Sequence, residues 1–129
     1  MSPRPGFVAL GVGAATQAAE ADVLAAVARA LAEAGVEKPD AIASLATKKD
    51  HPVWEALTQR FGCPALFFDA ARLERETPRL KNPSEAVFRA VGCHGVAEAA
   101  ALAAAGEGSR LAVGKTVAGH ATAAVAVHS

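Results

Sequence analysis

The chain has 129 residues, 52% of them hydrophobic, and its 13 Lys plus Arg balance 13 Asp plus Glu. That length suits one domain (1–129) with a single sizeable core, and the charge balance leaves no basic footprint for nucleic acid. One Trp and no Tyr give bases nothing to stack on, and no stretch approaches the roughly 20 apolar residues of a membrane span.

Phe7 to Val12 is an apolar run after Pro5-Gly6, too short for a signal peptide, and reads as a first strand. The segment Gly11-Val-Gly13-Ala-Ala-Thr16 reads as the loop leaving it. A dinucleotide fingerprint G-x-G-x-x-G would need glycine where Thr16 stands, and no Walker lysine follows. Tight strand-to-helix turning accounts for the two glycines. From Glu20 or Asp22 to Ala34, the positions Val23, Leu24, Val27 and Leu31 recur at helical spacing, and Gly35 closes the helix. Asp40 to Ala46 is a second strand, followed by the polar loop Thr47-Lys48-Lys49-Asp50. His51-Pro52 opens a helix to Phe61 with Trp54, Leu57 and Phe61 on one face and Gly62 at its end. Cys63 to Phe68 is a third strand. Asp69 caps a short helix holding Leu73, and Glu74 to Lys81 is a charged loop containing Pro78.

The stretch from Asn82 to Gly106 predicts two short helices. Asn82 caps the first, Pro83 suits its first turn, Glu85 sits three residues after the cap, and Gly92 stops it. His94 or Gly95 begins the second, which runs through Val96 to Ala105 with Glu98 in its first turn, and Gly106 ends it. Two neighbouring helix starts offer unpaired N–H groups to anionic ligands; the alternative, which the motif alone favours, is that Asn82, Glu85 and Glu98 cap them. Arg110 to Lys115 and Thr122 to Val127 form a terminal hairpin about Gly119-His120. The alternation of strand and helix indicates an α/β fold: a single three-layer domain with a largely parallel sheet and a C-terminal antiparallel hairpin.

Ligands of open α/β sheets sit beyond the strand carboxyl ends, where strand order reverses. The loops at Gly11 to Thr16, at Thr47 to Asp50 and from Asp69 onward qualify. Lys48 and Lys49 at a strand exit, and Lys115 beside Gly114, either engage carboxylates or phosphates or are solvated loop residues. Ser84, Glu85 and Glu98 are candidate acid/base or hydrogen-bonding groups, although a helix start is reason enough for both glutamates. Histidines 51, 94, 120 and 128 show no HxH or HxxxH spacing, and adjacent Cys93-His94 is a poor ligand or nucleophile pair. No metal site and no cofactor are expected. Cys63 and Cys93 lack CxxC spacing and read as free thiols of a reducing cytoplasm.

The run NPSEAV…VG…VAEAAAL…AAG, a following strand with Lys, then T-x-A-V-A, resembles the CobE/CbiG C-terminal domain family of cobalamin biosynthesis. The early GVG and the "LAT" strand leading to Lys-Asp-x-Pro fit too, so the similarity spans Phe7 to about Val127. The matching motif positions are Gly11, Gly13, Thr47, Lys48, Asn82, Ser84, Glu85, Gly92, Glu98 and Lys115. Two positions depart from the pattern. Ala14, Ala15, Thr16 and Gln17 replace a Cys-Arg-Arg-Gly-like run and its positive charge, and His51 stands where a glutamate is frequent.

The resemblance implies a part in building the corrin ring. Gly11, Gly13, Thr47, Lys48, Asn82, Ser84 and Lys115 would bind a precorrin or corrinoid intermediate, with other pathway enzymes as further partners. CbiG-type proteins open the lactone of a cobalt-precorrin and release acetaldehyde. A cobalt-precorrin-5A hydrolase-like activity, with Glu98 or Glu85 as the acid/base group, is therefore the enzymatic alternative. The chain corresponds only to the C-terminal part of such proteins and shows no Ser-His-Asp or metal constellation, which favours binding. A third alternative is an unrelated phosphate- or nucleotide-binding module. Late precorrins are apolar macrocycles rimmed by carboxylates, so the expected site is a greasy cleft edged by lysines and N–H donors. The oligomeric state stays open, with the hairpin's sheet edge allowing a dimer.

Overall fold

The computed structural model describes residues 6–15 and 18–128; Thr16 and Gln17 lie outside the described residues. The strands are β1 (Phe7–Ala14), β2 (Ala41–Leu45), β3 (Ala65–Phe68), β4 (Ser109–Ala118) and β5 (Ala121–His128). The helices are α1 (Glu20–Ala34), α2 (Val53–Phe61), α3 (Ala70–Glu74), α4 (Glu85–Val91) and α5 (Ala97–Ala105). Strand order is β3-β2-β1-β5-β4. β1, β2 and β3 pair in parallel, whereas β5 is antiparallel to both β1 and β4. The sheet is thus mixed, parallel through β1, β2 and β3 and antiparallel at the C-terminal hairpin, which also pairs with β1. The turn at Gly119 and His120 folds β5 back between β4 and β1, so the hairpin supplies an interior strand. Strand order reverses at β1.

Alternate residues of the strands feed two cores. Leu10, Val12, Ile42, Val113 and Val125 pack with Val23, Val27, Leu31, Trp54 and Leu57 of α1 and α2. The amphipathic spacing of α1 therefore places its apolar stripe as expected, and Gly35 takes the left-handed geometry that ends it. On the other face lie Ala9, Ala43, Ala124 and Ala126, covered by α5. Every residue of α5 is buried, because α3 and the segments around it close over its outer side.

This second face explains the glycines of β1. Gly11 sits between Ala43 of β2 and Ala124 of β5, on a floor of minimal side chains. A Cβ there would fall on the carbonyl oxygen of Ala97 and lie 2.6 Å from the nitrogen of Ala101. Gly11 is therefore a strand residue that lets α5 approach, Gly13 one that leaves room for the Thr122 side chain of β5 (2.6 Å from a Cβ there), and the expected loop begins only after Ala14. Lys115 likewise lies inside a strand and not at its end. β4 continues to Ala118 through register shifts on either side of Val113, and Lys115 falls within the second irregularity.

The charged stretch after α3 is not a loose loop. Thr77–Arg79 form a 3-10 turn, and buried Glu76 accepts bonds from Arg72 (2.7 Å) and Arg79 (2.6 Å). Burial pushes the Glu76 carboxyl up, but the two guanidinium groups more than offset this and hold it below its ordinary value. Arg79 also donates to the Ser109 carbonyl at 2.7 Å, fastening this segment to the start of β4.

Candidate functional site

The centre of the region is a carboxylate with every lone pair engaged. Glu98, in the first turn of α5, is 3% exposed. Its Oε1 accepts from the backbone N–H groups of Lys81 (3.0 Å) and Asn82 (2.9 Å). Its Oε2 accepts from Asn82 Nδ2 (2.7 Å) and the Lys115 N–H (2.8 Å). One side chain thus ties α5 to the approach to α4 and to the irregular part of β4. Gly114 makes room for it, since a Cβ there would stand 3.0 Å from Oε2. A buried carboxylate is costly unless its acceptor sites are filled, and four donors fill them. Glu98 is not a helix cap, and neither is Asn82, whose side chain and N–H both serve Glu98. The cap of α4 is Ser84, whose Oγ accepts from the Val87 N–H at 3.2 Å. α5 begins at Ala97, two residues later than Gly95.

Beside this bracket a cleft of about 290 Å³ opens at the carboxyl end of β1, where strand order reverses. Gly13, Ala14 and Ala15 from the end of β1, Val87, Ala90 and Val91 of α4, and Val96 and Ala97 at the start of α5 line it. Polar groups enter at the edges: Asn82, Ser84, His94, Glu98, Lys115, His120 and Thr122. An apolar trough with a few convergent polar groups has the character of a small-molecule site. Lys115 is exposed at its lip.

His94 is held in the cleft by Glu74 and Phe88. Its Nδ1 lies 2.9 Å from both carboxylate oxygens of Glu74, its backbone N–H donates to Glu74 Oε1 at 3.0 Å, and its ring stacks on Phe88 at 4.4 Å. On the other side, Nε2 is 3.4 Å from Glu85 Oε1. The Glu74 hydrogen bond, with the Glu74 and Glu85 charges behind it, raises the His94 pKa above the ordinary imidazole value. The reciprocal bond lowers that of Glu74.

Of the residues expected from sequence, Gly13, Asn82, Ser84, Glu98 and Lys115 meet at this cleft. Thr47 and Lys48 do not line it. They follow β2 in a 3-10 turn and line a neighbouring cleft of about 230 Å³ with Asp50, His51 and Trp54, which shares Ala14 and Ala15 with the first. Lys48 also positions Trp54, accepting its indole N–H on the backbone carbonyl at 2.7 Å. Gly11 lies under α5 and touches neither opening. Glu85 is exposed at the start of α4, beside His94. His94, His120 and Thr122 were absent from the expected binding set. His94 stood out in the sequence as the neighbour of Cys93 and as a candidate helix start, and its partner Glu74 carries no local spacing to mark it. Cys63 and Cys93 are both free thiols. Among the described residues no helix is long and apolar enough to cross a membrane.

The family described as "Cobalamin synthesis G C-terminus" matches residues 8–126. The protein CobE of Sinorhizobium sp is 50% identical over 119 residues, which is 91% of this chain and 77% of that protein. A crystal structure of CobE, a protein from the cobalamin (vitamin B12) biosynthetic pathway, is 34% identical with a TM-score of 0.85, covering 97% of this chain and 92% of that one. The cobalamin biosynthesis protein chiG from Agrobacterium tumefaciens is 31% identical with a TM-score of 0.70, covering 95% and 99% of the two chains. The chain belongs to the cobalamin synthesis G C-terminus family, a family of cobalamin-biosynthesis proteins.

Proposed function

We propose that the chain binds a carboxylated precorrin or corrinoid intermediate at the carboxyl end of β1. One observation carries this reading: in a member of a cobalamin-biosynthesis family, an apolar trough at the strand-order reversal is edged by Lys115, Asn82, Ser84 and His94. The macrocycle's hydrocarbon face suits the alanine and valine walls, and its carboxylates suit the donors at the lip. At about 290 Å³ the trough takes one edge of a tetrapyrrole. The rest would extend past Ala14 and Ala15 toward the neighbouring opening with Thr47 and Lys48, which gives those two residues a binding role as well. Gly11 contributes by letting α5 sit close against β1, and Gly13 by leaving room for Thr122. The same reading places the protein in the cytoplasm and arranges helices on both faces of the sheet as three layers, supported by the two cores.

The hydrolytic alternative has one observation in its favour. A carboxylate-held imidazole facing a cleft has the form of a general acid/base pair, and Glu74 and His94 supply it. In that reading water adds to the lactone carbonyl as its proton passes to His94 Nε2, and His94 returns that proton to the alkoxide oxygen that leaves when the acyl C–O bond breaks. Acetaldehyde then forms as the freed alcohol's C–C bond to the macrocycle breaks, the bond pair staying on the macrocycle and the hydroxyl proton passing to water. Glu85 stands beside Nε2, whereas Glu98 offers no lone pair to a water. Mixing the protein with precorrin intermediates and following the visible bands separates the two readings. A spectral shift without product supports binding, and acetaldehyde release supports hydrolysis. No change with any intermediate contradicts both.

A further inference from the structure

His94 faces two carboxylates that hold it very differently. Glu74 grips Nδ1 and the backbone N–H together, so with the Phe88 stacking the direction of Nε2 is fixed. Glu85 approaches Nε2 at only 3.4 Å, and its side chain is 75% exposed against 19% for His94. An exposed ion pair of that length is weak, and turning the Glu85 side chain into solvent costs little. Nε2 of this cleft-lining residue is therefore held toward a place now filled by a removable carboxylate.

We propose that His94 Nε2 is a carboxylate-binding subsite of the cleft, and that Glu85 is its internal occupant, displaced when a ligand carboxylate arrives. The proposal rests on reading this cleft as the ligand site and deepens it by naming the group recognised. The subsite needs the doubly protonated ring, because a neutral ring donating from Nδ1 to Glu74 would present a lone pair at Nε2. The charged groups facing the ring are Glu74 from α3 and Glu85 from α4; Glu98 from α5, Lys115 from β4 and His120 line the same cleft. The first two favour the proton. Carboxylate binding here therefore persists at low pH and is lost as pH rises through the raised His94 value.

The test uses the full chain and succinate as the probe, with the His94 ring and Phe88 amide signals followed by NMR. Glu85→Gln should lower the succinate concentration at half-shift at least threefold relative to the unaltered protein, and His94→Asn should abolish the response at Phe88. Equal midpoints for the unaltered protein and Glu85→Gln, or no shift in either, would overturn the proposal even if His94→Asn failed to fold. A second titration with cobyrinic acid distinguishes the two levels of the reading. If succinate behaves as expected while cobyrinic acid does not bind the unaltered protein, the corrinoid reading fails and the subsite stands. If cobyrinic acid binds but with unchanged affinity in Glu85→Gln, the displacement fails and the corrinoid reading stands.

Discussion

Glu98 and Glu85 occupy the same place in consecutive helices, the first turn, and meet opposite fates. Glu98 is closed in by four N–H donors from two other segments and serves as an internal bracket. Glu85 is open to water and touches one imidazole at long range. A first-turn position favours acidic residues in either case, so dipole and capping arguments alone cannot tell the two apart. What separates them is the chain that comes back to meet the helix. Lys81, Asn82 and Lys115 converge on α5, while α4 lies at the surface with no buried residue. One glutamate lines the cleft; the other stands in solvent beside His94.

The largest effect should come from Glu98→Gln. An amide places an N–H₂ where two donors now point, leaving buried groups unpaired at a cost of about 3 kcal/mol. Urea denaturation would show this, and a loss below about 0.5 kcal/mol would mean that the bracket is ornamental. Next comes Gly114→Ala, whose methyl would press on Glu98 Oε2 from 3.0 Å and should cost about 1–2 kcal/mol by the same measurement. An unchanged midpoint would show that the carboxylate yields without losing its donors.

On the open side, the expected signature is pH dependence. The His94 pKa is raised, so its contribution to stability is complete below the ordinary imidazole value and lost as pH climbs through the raised one. The Glu74 pKa is lowered, so its contribution is present above the ordinary carboxylate value and lost as pH falls through the depressed one. Glu74→Gln should flatten both limbs of a Tm-against-pH profile, and an unchanged profile would remove the pair from the account. The smallest effect is that of Glu85→Gln, which should alter stability by less than about 0.5 kcal/mol, as surface changes do. A larger loss would place Glu85 among the structural residues.

The contrast also marks what can be read from a sequence. The periodicity of α1, the end of α2 at Gly62 and the end of α4 at Gly92 follow from local rules and stand where those rules put them. Gly11 and Gly13 looked like a tight turn leaving the strand, yet the space they leave is taken by α5 and by Thr122 of β5, both far along the chain. Asn82 looked like a cap because it satisfies the capping rule as well as Ser84 does, and only the distant Glu98 decides between them. Lys115 reached the cleft as expected, through a strand irregularity that no residue pattern announces. Lys48 belongs to an adjoining opening because β1 lies between β2 and β5. Several residues that line the cleft could be picked out in the sequence; their partners, separated by long stretches of chain, could not.

The central claim is that a carboxylated macrocycle lies in the trough beside Glu98. Backbone-amide NMR of the labelled protein during titration with cobyrinic acid tests it most directly. Shifts confined to Gly13, Ala14, Ser84, Val96, Lys115 and their neighbours are the predicted result, weakened about fivefold by Lys115→Ala as one exposed charge contact is lost. Saturable binding that perturbs another face, or amides unmoved at millimolar ligand, would contradict it.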